Sequence, residues 1–211
     1  MKNLPMFTTE NGVASLTLQN IPYNAVAYIT LQSAVDTGAL LKECAGFCKA
    51  VGAEHIYVCG SDLDDYPVYT EVWEMTAAKC ELPQPDARLQ PVTADTLPKF
   101  LEIYRQKTRG VPTAAYLTQE RAKKYLETGN CYFIYKADIL LGIGIAGENK
   151  IDAIASLVPG GGREVLLTLC NQLPAHRISL EVASQNHKAV ALYESLGFSK
   201  EKVLNIWHKI L

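Results

Sequence analysis

At 211 residues, with 48% apolar and 20% charged side chains, the chain can fill one large domain or two small ones. A net charge of −2 with no run of Lys or Arg leaves nothing to track a polyphosphate backbone, so no nucleic-acid partner is expected. The opening MKNLPMFTTENGV lacks the apolar stretch of a secretion leader and no apolar run approaches a membrane span. The expectation is a cytoplasmic protein without membrane association.

Cys44, Cys48, Cys59, Cys80, Cys131 and Cys170 are scattered, with no Cys-x-x-Cys pair. They read as free, mostly buried thiols in a reducing compartment; a zinc site or a catalytic thiol is the alternative. Residues 13–34 read as two strands, VASLTLQ and AVAYITLQ, around the turn-prone NIPYN. A helix follows from Thr37 to Val51, with Leu40, Leu41, Cys44, Phe47, Cys48 and Val51 on one face and Gly52 as its C-terminal cap. HIYVCG and PVYTEVWEM are further strands. The three prolines of KCELPQPDARLQP place a linker near 80–90, which divides the chain into domains 1–85 and 86–211.

The pattern then restarts. RLQPV is a strand, and Leu97, Phe100, Leu101 and Tyr104 define a helix to Thr108. RGVPTAAY is a loop, and Thr118 caps a second helix that runs to Glu127 before Gly129. NCYFIYKADILLGIGIAGENKIDAIASLV gives three strands joined by KAD and GENK. A helix opens after the triple glycine and buries Val165, Leu166, Leu169, Cys170 and Leu173. RISLEVAS is a strand, Asn186 to Leu196 a helix, and FSKEKVLNIWHKIL two closing strands. Interleaved helices and strands predict an α/β sandwich with a partly parallel sheet. AYITLQS, helix, HIYVCGS echoes IASLVPG, helix, RISLEVAS, as a degenerate duplication would.

Two stretches carry chemistry. In ISLEVASQNHKAVALYESLGF, Asn186 stands where its side chain can cap a helix, and Ala189, Val190 and Tyr193 follow on one face. Gly197 suits a left-handed C-cap, with Phe198 packing back on the last turn. Residue by residue this is a well-capped amphipathic helix. In SLVPGGGREVLLTL, three glycines before a helix let backbone approach a ligand, and the helix N-terminus with Arg163 suits a pyrophosphate or serves as a plain tight connection.

Taken whole, the string N-x-x-A-x-x-x-Y-E-x-x-G-F after an alternating strand resembles the acyl-CoA-binding helix of the GNAT N-acetyltransferases. The element order over 88–211, a little over half the chain, is similar to theirs. The resemblance implies an α/β GNAT fold, a mixed sheet sandwiched by helices, preceded here by a smaller ββαββ domain. It implies acetyl-CoA as co-substrate, no metal, and direct attack by a primary amine of a small molecule or peptide in a ternary complex. Tyr193 would be the general acid for the departing thiolate, since a phenol stays protonated at neutral pH. Asn186 would bind the pantetheine arm or the edge of a splayed strand. Gly160, Gly161, Gly162, Arg163 and Glu164 would wrap the phosphates through backbone amides. Ser156, Leu157 and Val158 would offer N–H groups to the acyl and pantetheine carbonyls, with Leu157 as the oxyanion donor.

The chain departs from the family pattern at the phosphate loop. Aligned on the helix leucines, Val158 takes the position of the usual Arg or Gln and Arg163 that of the last glycine, in a shortened loop. No base stands out among Glu148, Asp152, Glu181 and His187. Arg109 and Tyr116, in the loop after the first helix, are acceptor-side candidates. The alternative function is a non-catalytic acyl-CoA-binding or scaffold protein of the same fold. The first 85 residues complete the acceptor side, form a homodimer, or persist as a remnant without a site.

Overall fold

The computed structural model describes residues 5–211, so the first four residues of MKNLPMFTTENGV lie outside the described residues. The chain forms two compact units, one running through Val72 and taken up again at Leu204–Leu211, the other Trp73–Val203. The boundaries fall inside two long strands, β5 (Val68–Ala78) and β11 (Ser199–Lys209).

In the first unit, Thr9 and Gly12 close a hairpin around Glu10-Asn11 between β1 (Met6–Thr9) and β2 (Gly12–Thr17). Gly12 follows the turn at φ +143°, where a Cβ would stand 2.4 Å from the Ser33 carbonyl oxygen, and β1 was not among the expected strands. NIPYN is a single helical turn, α1 (Ile21–Asn24), left through Ala25 at φ +57°. β3 (Val26–Ala34) pairs antiparallel with β2 and, after the crossover helix α2 (Thr37–Ala50), parallel with β4 (His55–Cys59). Leu40, Leu41, Cys44 and Cys48 of α2 pack on Ala14, Leu16, Ala27, Ile29, Ile56 and Val58 of the sheet. The helical spacing on one side and the strand alternation on the other select these residues. Among the described residues no disulfide joins the six cysteines, and no group of His, Cys, Asp or Glu has the arrangement of a metal site.

In the second unit, a 3-10 turn (Lys79–Glu81) leads through the proline-rich stretch to β6 (Arg88–Pro91). α3 (Leu97–Thr108) and α4 (Gln119–Glu127) follow, the latter capped by Thr118 Oγ1 on the Arg121 N–H as its sequence predicts. β7 (Cys131–Lys136), β8 (Ile139–Gly147) and β9 (Lys150–Ser156) form an antiparallel meander. α5 (Gly162–Gln172) crosses to β10 (Arg177–Ala183), and α6 (His187–Ser195) returns to β11. Strand order within this unit is β11-β5-β10-β9-β8-β7-β6. The two closing strands expected over 198–211 are one strand. FSKEKVLNIWHKIL contains neither Gly nor Pro after Phe198, so nothing interrupts it.

The sheet of the second unit is covered on both faces. Val165, Leu166, Leu169, Cys170, Tyr193, Leu196 and Phe198 fill one side with α5 and α6. Phe100, Leu101, Tyr104, Ala122, Ile143 and Ile145 fill the other with α3 and α4. Glycines on β8 let α5 lie close. A Cβ on Gly144 would stand 2.3 Å from Leu169 Cδ1, and one on Gly142 would stand 2.4 Å from the Ala155 carbonyl oxygen. Lys79 Nζ donates to the carbonyls of Asn171 (2.9 Å) and Leu173 (2.5 Å), closing the C-terminal end of α5 with a cation.

Candidate functional site

β9 and β10 are parallel neighbours for only two residue pairs, Lys150↔Ser179 and Ile151↔Leu180. Beyond Ile151 the register with β10 stops, while β9 stays paired to β8 through Ser156. The parting begins where β9 carries a bulge. Ile145 faces Ala153 and Ala146 faces Ile151, which leaves Asp152 as the extra residue. That insertion reverses the alternation: Ile151 packs on the α5 side, whereas Ala153 and Ala155 pack on the α3 side.

Hydrogen bonding along β9 decides which amides face the gap. The Leu157 N–H donates to the Leu141 carbonyl at 2.7 Å. It is therefore committed to β8, and the expectation of Leu157 as oxyanion donor is corrected. In an antiparallel ladder, successive N–H groups point to opposite edges. The amides of Ile154 and Ser156 accordingly point away from β8, toward the edge that β10 has left. The sequence names Ser156 but not Ile154, because it does not reveal which parity of β9 faces β8.

The strand runs into a tight turn. The Gly161 N–H donates to the Val158 carbonyl (3.0 Å), with Pro159 and Gly160 between them and Gly160 at φ +76°. Proline followed by a glycine of positive φ is the signature of a type II turn. Ser156 Oγ donates to the same carbonyl at 2.8 Å. Gly161 is the N-cap of α5 without any side-chain cap, and Val165 is the first N–H bonded back into the helix. The N–H groups of Gly162, Arg163 and Glu164 thus have no backbone acceptor among the described residues, as at any helix start. Arg163 is exposed in that turn and forms no ion pair among the described residues. Glu164 is used differently: its Oε1 accepts from the Asp86 (2.5 Å) and Ala87 (2.9 Å) N–H groups, tying the segment before β6 to the first turn of α5. Gly162 is placed against α6, since a Cβ there would lie 3.1 Å from Leu192 Cδ2.

On α6, Asn186 caps the helix through Oδ1 on the Ala189 N–H at 3.4 Å. Tyr193 is 6% exposed among Cys170, Leu196 and Phe198, its ring 6.1 Å from that of Phe198. Burial, reinforced by the neighbouring Cys170, pushes its phenol up to about 12.

The base candidates separate. Glu148 is exposed in the β8–β9 turn at φ +48°, and His187 is exposed at the start of α6. Glu181 is held in an ion pair with Lys150 across β9 and β10. Asp152 alone sits at the bulge; burial pushes its carboxyl up, Lys150 and Arg121 pull it down, and Glu181 adds to the rise. On the α3 side, the loop after α3 is fixed from the helix. Tyr104 Oη donates to the Ala115 carbonyl (3.2 Å), and Arg105 donates to that of Leu117 while lying 4.7 Å over the Tyr116 ring. Arg109 is exposed at the end of α3. Beside the bulge, Phe100, Tyr104, Ile143, Ile145, Ala153 and Ile154 lie together without room for a water molecule between them, the first four buried.

No protein-family model and no curated protein sequence matches the chain. Solved structures do. A GCN5-related N-acetyltransferase from Sphaerobacter thermophilus aligns with a TM-score of 0.58 over 94% of this chain and 76% of its own, at 10% identity. A GNAT-family acetyltransferase from Colwellia psychrerythraea aligns at 0.50 over 97% and 84%, at 12% identity. A conserved protein of unknown function from Staphylococcus epidermidis reaches 0.59 over 99% and 94%, at 11% identity. The chain has a GNAT-like fold, the fold of the GCN5-related N-acetyltransferases.

Proposed function

We propose that the second unit binds acetyl-CoA and transfers its acetyl group to a primary amine. The observation that carries this reading is the gap between β9 and β10, which leads directly into the glycine turn and the open N-terminus of α5. An extended pantetheine arm can pair with the strand edge as a third strand would, through the outward N–H groups of Ile154 and Ser156. The pyrophosphate then meets the N–H groups of Gly162, Arg163 and Glu164, the positive end of the helix and the Arg163 charge. With Oδ1 of Asn186 engaged in its cap, the amide nitrogen is the group's donor toward the pantetheine.

The transfer needs no metal and no covalent enzyme intermediate. The amine nitrogen forms a bond to the thioester carbon, and the N–H of Ile154 or Ser156 stabilises the oxyanion. The carbon–sulfur bond breaks, the nitrogen loses a proton to water, and the CoA thiolate takes one from Tyr193, which solvent restores. Holding both reactants in one complex supplies most of the acceleration.

The departures at Val158 and Arg163 favour a second reading, a scaffold that binds acyl-CoA without turnover. The thermal midpoint of the purified chain with millimolar acetyl-CoA, against AMP, tests the binding step. A saturable upward shift specific to acetyl-CoA is expected. No shift with acetyl-CoA or longer acyl-CoAs would overturn both readings, and a shift without free-thiol release across an amine panel would leave the scaffold.

A further inference from the structure

The proline-rich stretch before β6 lies along α5 from end to end. At the C-terminal end of the helix, Lys79 Nζ donates to the carbonyls of Asn171 and Leu173. Leu82, Pro83 and Gln84 then line one narrow cleft with Leu167 and Asn171. At the N-terminal end the Asp86 and Ala87 N–H groups donate to Glu164 Oε1, and the Asp86 carboxylate pairs with Lys136 of β7 at 3.2 Å. Glu164 is the third residue of α5 after its N-cap Gly161, the position from which a glutamate ordinarily turns back on the N–H of its own N-cap. Here the Gly161 N–H donates to the Val158 carbonyl, and the carboxylate reaches outward to the stretch instead. The acidic side chain of the first turn is thereby held off the amides of Gly162, Arg163 and Glu164. Left loose, it would compete for them with an incoming phosphate and repel it.

Resting on the acetyl-CoA-binding step above, we propose that the Glu164 side chain is a positioning residue for that ligand. By holding the Asp86 and Ala87 amides it fixes the first turn of α5 and keeps its own charge clear of the pyrophosphate. Residues 79–87 are then a splint of the binding site rather than a linker. Such coupling is reciprocal, so bound acetyl-CoA must in turn tighten the hold on the two amides.

Calorimetric titration of acetyl-CoA into the wild-type chain and its variants separates reach from charge. Glu164→Gln keeps the accepting oxygen, Glu164→Asp keeps the charge but is one methylene too short, and Glu164→Ala keeps neither. Affinity should be largely retained in Glu164→Gln and fall about five- to tenfold in both Glu164→Asp and Glu164→Ala. Thr118→Ala, which loses stability through the α4 cap, should bind as the wild type does, with melting curves verifying that each variant folds. Hydrogen exchange gives a second readout: acetyl-CoA should slow the Asp86 and Ala87 amides of the wild type, and this decides alone if the Glu164 variants do not fold. No binding by the wild-type chain would overturn the acetyl-CoA reading and this role with it. The role alone is overturned if the wild type binds and the Asp and Ala variants bind equally well. It is likewise overturned if affinity follows charge, with Gln and Ala alike and Asp as wild type, or if acetyl-CoA leaves the exchange of the two amides unchanged.

Discussion

A phenol at 6% exposure is denied the solvation its anion needs, so Tyr193 stays protonated well above neutral pH. Replacing it by Phe keeps the ring contacts with Leu196 and Phe198 and removes only the hydroxyl. If Tyr193 is the acid, kcat should fall by about 10²-fold or more while acetyl-CoA affinity stays nearly unchanged. An unchanged kcat would remove the role. The same burial has a consequence for stability. Tyr193, Cys131 and Cys170 all titrate near 12 in the folded chain, above their ordinary values of 10, 9 and 9. Their folded forms hold protons more tightly than the unfolded chain does. This contribution is whole below about pH 9 and is lost progressively toward pH 12. The thermal midpoint should therefore fall from pH 9 upward, at about 2–4 °C for each kcal/mol lost, and Tyr193→Phe should flatten the part above pH 10. The sequence offers Tyr193 as a candidate because its spacing to Asn186 and Gly197 forms a contiguous string. Asp152 was not singled out, because a bulge is fixed by the register with a partner strand that the sequence does not display.

Glycines of two kinds shape the elements around the gap, and they respond differently to alanine. At Gly144 the φ is ordinary but a Cβ would lie 2.3 Å from Leu169 Cδ1, so the buried Leu169 side chain must shift. Gly144→Ala is expected to destabilise by about 1–3 kcal/mol, as overpacking does. At Gly160 the space around a Cβ is open, and the obstacle is φ +76° in the turn. Gly160→Ala should cost about 1–2 kcal/mol and also disturb the path of the phosphate loop. Chemical denaturation gives both stabilities, and acetyl-CoA titration separates them: affinity should drop for Gly160→Ala beyond what its stability loss explains. Equal affinity in wild type and Gly160→Ala would detach that turn from the ligand. The helices and strands of this unit follow from apolar spacing and from caps such as Thr118, which is why they were readable in advance. The parting of β9 from β10 and the commitment of the Leu157 amide to β8 are properties of strand neighbours. Local pattern carries neither.

On the scale of the whole chain, the strand–helix–strand unit occurs twice, as β3-α2-β4 and as β9-α5-β10, each with parallel strands. The sequence echo between them is matched by this shared topology, but the features that would hold a CoA differ. β3 and β4 stay in register over five pairs, from Val26↔His55 to Thr30↔Cys59, against the two pairs of β9 and β10. The N-terminus of α2 is closed by Asp36, whose Oδ1 accepts the Ala39 N–H at 2.9 Å. A carboxylate there satisfies a helix-start amide and repels an incoming phosphate, whereas α5 starts at Gly161 with no side-chain cap. Calorimetric titration with acetyl-CoA should accordingly give a single site per chain. Asp36→Ala should lower stability by about 1 kcal/mol through loss of the cap without adding a second site, because Val35 and Asp36, not a glycine turn, lead into α2. Gly161→Trp, whose side chain must displace Ser156 Oγ and Val158, should abolish the one site. A stoichiometry of two in the wild-type chain would give the first unit a site as well, and a single site that survives Gly161→Trp would reverse the assignment of the two repeats.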